Sequence, residues 1–210
     1  MWELVKAGGW LMLPLVLCSI FTVAISIERF IRLKRSLVLP KSLMMQKGRS
    51  LDDVLDVLEQ DKTAGQTSLG YIFKDGIDAY SQGEDYARAQ MEATASREIG
   101  YLEKNINFLG TLSAVAPLLG LLGTVVGIIE SFLVIDLGST ANPTMMIPGI
   151  SKALITTAAG MVIAIPALFA YRYFQRLVQE YVAELEQQAT LFHASLFFQK
   201  HHEKDQKKAG

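Results

Sequence analysis

The sequence predicts an all-α membrane protein. It has three transmembrane helices with the N-terminus outside and the C-terminus inside the cytoplasm, two long helices that extend into the cytoplasm, and a small helical cytoplasmic module. Three observations predict it. Half of the 210 residues are hydrophobic and mean hydropathy is positive, at +0.27, which favours lipid over water as the solvent of much of the chain. Three apolar segments, residues 7–27, 106–135 and 148–171, meet the ~20-residue length that the hydrocarbon requires. Basic residues favour one flank of each segment, and on the opposite flanks only Lys6 stands.

The first span lies close to the N-terminus, yet it does not read as a cleaved leader. Only Lys6 precedes its apolar run, and "ERFIRLKR" follows at once, an anchoring pattern. Arg29, Arg32, Lys34 and Arg35 mark its exit, Lys104 precedes the second span, and Arg172 and Arg176 follow the third. The connection 136–147 holds no Lys or Arg. These flanks agree on one topology, with the N-terminus and the 136–147 loop outside the cytoplasm and residues 28–105 and 172–210 within it. The lone Cys18 excludes an internal disulfide and reads as a small packed hydrophobe. A net charge of −1 argues against a nucleic-acid partner.

Residues 28–105 carry the signals of a helical module. In "GRSLDDVLDVLEQ", Ser50 is placed to cap a short helix with Asp52 and Asp53 in its first turn. "QTSLGYIFKDGIDAYSQG" reads as a second helix stopped by Gly83. The stretch "EDYARAQMEATASREIGYLEKNINFLG" has no breaker except Gly100 and leads straight into the second span, so one helix is expected from Glu84 to about Leu133, roughly 75 Å at 1.5 Å per residue. The third span continues similarly: Leu177, Tyr181, Leu185, Ala189, Phe192 and Leu196 recur every three or four residues, a greasy face for the middle module or a neighbouring subunit, with a membrane-surface helix as the alternative. A mixed-charge tail follows. Its adjacent His201 and His202 are not one helical turn apart, and no metal site is expected there.

The second and third spans share an unusual feature. In "APLLGLLGTVVGIIESF", the residues Pro117, Gly120, Thr124, Gly127 and Ser131 step by three and four along one helix face. In "GISKALITTAAGMVIAIPALFAYRYF", Ala153, Thr157, Gly160, Ala164 and Ala167 do the same, with Thr156 beside them. Small faces let helix backbones approach closely where lipid removes the hydrophobic drive to associate. Tight packing alone would explain them, and a threonine often only bonds back to its own helix.

Two charges stand inside these apolar spans, Glu130 and Lys152. An ionised group at mid-bilayer costs about 2.5–3.5 kcal/mol on insertion scales, so such residues usually face protein or water. Both lie near the loop end of their spans, at similar depth. Two arrangements suit them: an ion pair, within a subunit or across a boundary, or independent snorkelling to the outer interface. No phosphate loop, zinc-protease motif or nucleophile with a base on the same side is found, so no catalytic residue and no cofactor is expected.

"APLLGLLGTVVGII..F" followed by "GISKALITTAAGMVIAIPA" resembles the paired signature of the ExbB/TolQ/MotA family of ion-driven stator proteins. The three-span, N-out pattern with its large cytoplasmic segment resembles the ExbB and TolQ branch across essentially the whole chain. The resemblance implies a multi-pass subunit of the bacterial inner membrane, forming a homopentamer around a dimer of an ExbD/TolR-like single-span partner whose membrane aspartate carries the proton. It further implies that Thr124 and Thr157, with Thr156 adjacent, line a channel. Where many relatives have a glutamate in "GIxEAL", this sequence has Lys152, which cannot serve as a carboxylate relay and is expected to be paired or turned outward.

The reading that follows is a proton-channel stator working with a TonB-like protein in outer-membrane transport. A TolQ-like role with a TolA-like protein in envelope maintenance stands beside it. From another class comes a membrane scaffold whose small faces only pack helices. An independent secondary transporter fits poorly, because three spans show no internal repeat.

Overall fold

The computed structural model describes residues 8–45, 50–136 and 143–208, with the side chains of 134–136, 143 and 199–208 left out of the description. Among the described residues the protein is helical, without strands. Seven α-helices follow one another among the described residues: α1 Met12–Arg32, α2 Arg35–Val38, α3 Leu51–Gln60, α4 Ser68–Ala79, α5 Glu84–Glu103, α6 Ile106–Asp136 and α7 Ile147–Lys208. Short 3₁₀ turns at Ala64–Gln66, Tyr80–Gln82 and Pro143–Met146 join some of them. Three of the described helices, α1, α6 and α7, are long and apolar enough to cross a membrane, and α1 begins at Met12, inside the segment 7–27 read from the sequence. Lys6, residues 137–142 of the 136–147 loop, and the side chains of His201 and His202 lie outside the described residues.

The chain divides into two compact units, Met1–Arg29 with Asn105–Phe174, and Phe30–Lys104 with Gln175–Gly210. In the first, α1 buries the stripe Met12, Leu15, Cys18, Thr22, Ile25 and Arg29, spaced by three and four as one helix face demands. Met12 and Leu15 form a core with Ala116 and Ala164, against which Leu119, Ala159 and Ile163 pack. Phe21 and Phe108 meet edge to face, 6.1 Å between ring centres.

In the second unit local chemistry sets the helix starts. Ser50 accepts the Asp53 N–H at 3.2 Å while the Asp53 carboxylate accepts the Ser50 N–H at 2.9 Å, a reciprocal capping box that opens α3. The buried Thr67 hydroxyl caps α4 by accepting the Gly70 N–H at 3.1 Å. Gly83, at φ 114°, supplies the turn into α5 that a side chain would resist. Phe73 and Phe192 stack at 4.0 Å in a core where neither is exposed. The buried Tyr181 hydroxyl donates to the Leu33 carbonyl at 2.9 Å. The buried face of α7 here is Val178, Tyr181, Leu185, Gln188, Phe192 and Leu196, so Leu177 and Ala189 sit at its margin, half-buried. Gln188 enters because its side-chain oxygen accepts the Met45 N–H at 2.6 Å.

One expectation fails. The helix read as continuous from Glu84 to about Leu133 breaks at Lys104 and Asn105. Lys104 is extended at ψ 139°, and Asn105 takes φ 61°, the only positive φ of a described non-glycine residue. Asparagine tolerates this left-handed conformation better than most residues because its short amide can bond locally. Here the Asn105 side-chain amide donates to the Glu28 carboxylate at 3.0 Å, and the Asn105 backbone carbonyl accepts the Leu109 N–H at 3.2 Å to start α6.

Candidate functional site

The second and third spans meet along a seam of small residues. From α6 it takes Ala116, Gly120, Gly123, Gly127 and Ser131, all buried; from α7, Ala153, Thr156, Gly160, Ala164 and Ala167, also buried. Glycine is required because the contact is backbone on backbone. A Cβ on Gly160 would stand 2.6 Å from the Ala116 carbonyl oxygen, and one on Gly127 would stand 2.7 Å from that of Gly149. A Cβ on Gly120 would come to 3.0 Å from the Thr157 Cα.

The seam is rotated slightly from the faces read in the sequence. Gly120, Gly127, Ser131, Ala153, Gly160, Ala164 and Ala167 belong to it, whereas Pro117, Thr124 and Thr157 are half-buried along one flank. Ala116, Gly123 and Thr156 take the central places instead, and Gly149 adds a contact at the loop end. The run Gly120, Gly123, Gly127 carried that signal, since it too steps by three and four.

Each hydroxyl at the seam donates to a carbonyl oxygen. Thr157 Oγ1 crosses to the Gly120 carbonyl on the other helix at 2.9 Å. Thr124 Oγ1 donates to Leu121 of its own helix at 2.6 Å. Thr156 Oγ1 is shared between Ala153 and Lys152, at 2.8 and 3.2 Å. Ser131 Oγ is shared between Gly127 and Met146, at 2.8 and 3.3 Å. A hydroxyl has one proton, so each of these oxygens offers only lone pairs to anything further.

Glu130 and Lys152 come together within the chain. The Lys152 ammonium lies 2.7 Å from Glu130 Oε2 and 3.0 Å from Oε1. The Lys152 side chain keeps 25% of its surface and that of Glu130 keeps 43%, so the pair is neither bare nor sealed. At 100° per residue Glu130 stands about 120° around α6 from Thr124, and Lys152 about 140° around α7 from Thr157. The charges therefore occupy the flank opposite the threonines.

A family model described as the MotA/TolQ/ExbB proton channel family matches residues 64–187, more than half of the chain. An ExbB-like biopolymer transport protein of Synechocystis is 33% identical over 208 residues, 92% of this chain and 79% of that protein. The chain belongs to the MotA/TolQ/ExbB proton channel family. Within that family, the biopolymer transport protein ExbB of Salmonella typhimurium is 34% identical over 83% of this chain and 75% of its own length. The Tol-Pal system protein TolQ of Haemophilus influenzae is 38% identical, over 51% of this chain and 49% of its own. For a MotA/TolQ/ExbB protein, the seam between the second and third spans is the candidate site, and its two flanks differ in chemistry.

Proposed function

We propose that this chain is the stator subunit of an ExbB-type motor in the bacterial inner membrane, using the proton motive force to energise TonB-dependent outer-membrane transport. The observation that carries this reading is the reach of the likeness. Two ExbB-named relatives align over 92% and 83% of the chain, whereas the TolQ relative aligns over 51%, close to the 52% of another ExbB-named relative. That TolQ relative's higher identity, 38%, favours a Tol-type role as the second reading.

In this reading the N-terminus lies outside and the C-terminus inside, as the basic flanks direct. Five copies surround a dimer of an ExbD/TolR-like single-span partner, and a TonB-like or TolA-like protein takes up the work. The half-buried flank of Thr124 and Thr157, with Thr156 behind it, faces the ion path. Its oxygens accept hydrogen bonds from water, hydronium or a protonated carboxyl group but have no proton left for a carboxylate. Such a wall favours the protonated form of a partner's acid until that acid reaches a wetter place. Each charge that crosses gains ~2.3 kcal/mol per 100 mV.

Ion flux in liposomes holding the chain with its co-encoded single-span partner tests the reading. Wild type is compared with Thr157→Val and with a partner stripped of its membrane carboxylate. Flux in the first and loss in both variants, with assembly intact, is the expected result. Equal flux in all three, or an assembled wild type that works in cells yet passes no ions, would leave a packing scaffold.

A further inference from the structure

The flank opposite the threonines is occupied by the first span. Leu119, Ala159 and Ile163, on that side of the seam, pack against the core to which Met12 and Leu15 of α1 belong. The turn before α1 goes further and lies directly on Lys152. Gly9 has φ +74°, and a Cβ there would stand 2.8 Å from the Lys152 Nζ and closer still to its Cε. A Cβ on Gly8 would reach 3.2 Å from Thr156 Cγ2, one turn along the same helix. The lysine is thus the more enclosed member of its ion pair, its side chain 25% exposed against 43% for that of Glu130.

We infer that the Glu130–Lys152 pair is a latch that seats the outer end of the first span on the other two, outside the ion path. Three features require one another. The turn accepts the lysine stem only because Gly9 has no side chain, and its positive φ favours glycine. An ammonium pressed under backbone in an apolar segment needs a counter-charge, and Glu130 supplies it with both oxygens. Without Glu130 the lysine is drawn outward to water along its flexible stem, and the turn loses its floor. Without the lysine charge, Glu130 is left without its cation and the stem is no longer held beneath Gly9. Lys152 and Gly9 are positioning residues in this account. That the pair stands outside the ion path rests on the proposed reading of the threonine flank; the latch itself does not.

Leu11, 3% exposed at the start of the first span, reports the seat. A Leu11→Cys reporter is built in a Cys18→Ser background and assembled with the single-span partner. Its reaction with N-ethylmaleimide in native membranes is timed beside ion flux in liposomes. Lys152→Gln, Glu130→Gln and Gly9→Ala are each expected to raise the labelling rate at least tenfold while flux stays within twofold of the reporter parent. Unchanged labelling in Lys152→Gln and Glu130→Gln would overturn the latch. A tenfold loss of flux with the reporter still protected would put the pair in the ion path and overturn the inference too. A parent complex that assembles and passes no ions would overturn the proposed function, and labelling would still decide the latch.

Discussion

The Thr157 hydroxyl donates to the Gly120 carbonyl oxygen, 2.9 Å away on the neighbouring helix, and so ties α7 to α6 within the seam where their backbones pack together. Thr157→Val keeps the shape and removes this bond. Interhelical hydrogen bonds in membranes average about 0.6 kcal/mol, so the helix pair should still assemble. Flux, by contrast, is expected to fall by an order of magnitude or more, because the flank loses an acceptor oxygen. Thr157→Ser, which keeps the hydroxyl, should restore most of it; liposome flux beside a native-gel assembly check decides.

Two glycines in helices should respond to alanine with opposite signs. Gly160→Ala forces a methyl to 2.6 Å from the Ala116 carbonyl oxygen, and the helices must part. Gly100→Ala meets nothing within 4 Å on the exposed side of α5, where alanine gains about 1 kcal/mol of helix propensity over glycine. Thermal unfolding in detergent should show the first variant melting several degrees below wild type and the second at or above it.

Phe73 and Phe192 hold the second unit together from elements far apart in sequence. Phe192→Ala empties a fully buried ring site, a change that costs about 3–5 kcal/mol in other cores. Arg35→Ala removes a two-pronged bond to Glu184, at 2.8 Å to each oxygen, but that arginine is half exposed and such pairs contribute about 0–1 kcal/mol. Limited proteolysis of the second unit should therefore accelerate sharply for Phe192→Ala and barely for Arg35→Ala.

Acid should loosen the turn after α3. The Asp61 carboxylate accepts the backbone N–H groups of Ala64 and Thr63, at 3.3 and 2.9 Å, and these bonds hold its pKa below the ordinary 3.8. A carboxyl depressed in the folded state adds stability above its unfolded pKa and loses it as pH falls through the folded value. Stability of the turn should thus decline below about pH 4. Asp61→Asn should flatten that part of the profile, read as amide exchange at Thr63 and Ala64 between pH 5 and 3.

How far the sequence could be read follows from how local each signal is. The cap at Ser50, the turn at Gly83 and the three apolar segments depend on neighbours within a few residues, and they appear in the structure. The break at Asn105 does not, because its cause is a carboxylate at Glu28, remote in sequence. The same holds at the seam. Steps of three and four allow more than one small-residue face on α6, and only the partner helix decides that Gly123 is central and Thr124 lies aside. Similar depth made Glu130 and Lys152 a plausible pair, but their flank depends on that same rotation. The role of Gly9 depends on a contact with Lys152, far along the chain, and periodicity carries no trace of it.

The backbone-on-backbone seam also bears on stiffness. Glycine and alanine have no rotamers to surrender, so closing the seam freezes almost no side-chain freedom, and it has no long side chains through which one helix could slide or re-pack against the other. The second and third spans should move as a single rod. Whatever turning or tilting accompanies work in the membrane then takes place between that rod and its surroundings, and the sites where motion is lubricated or resisted are to be sought on its outer faces.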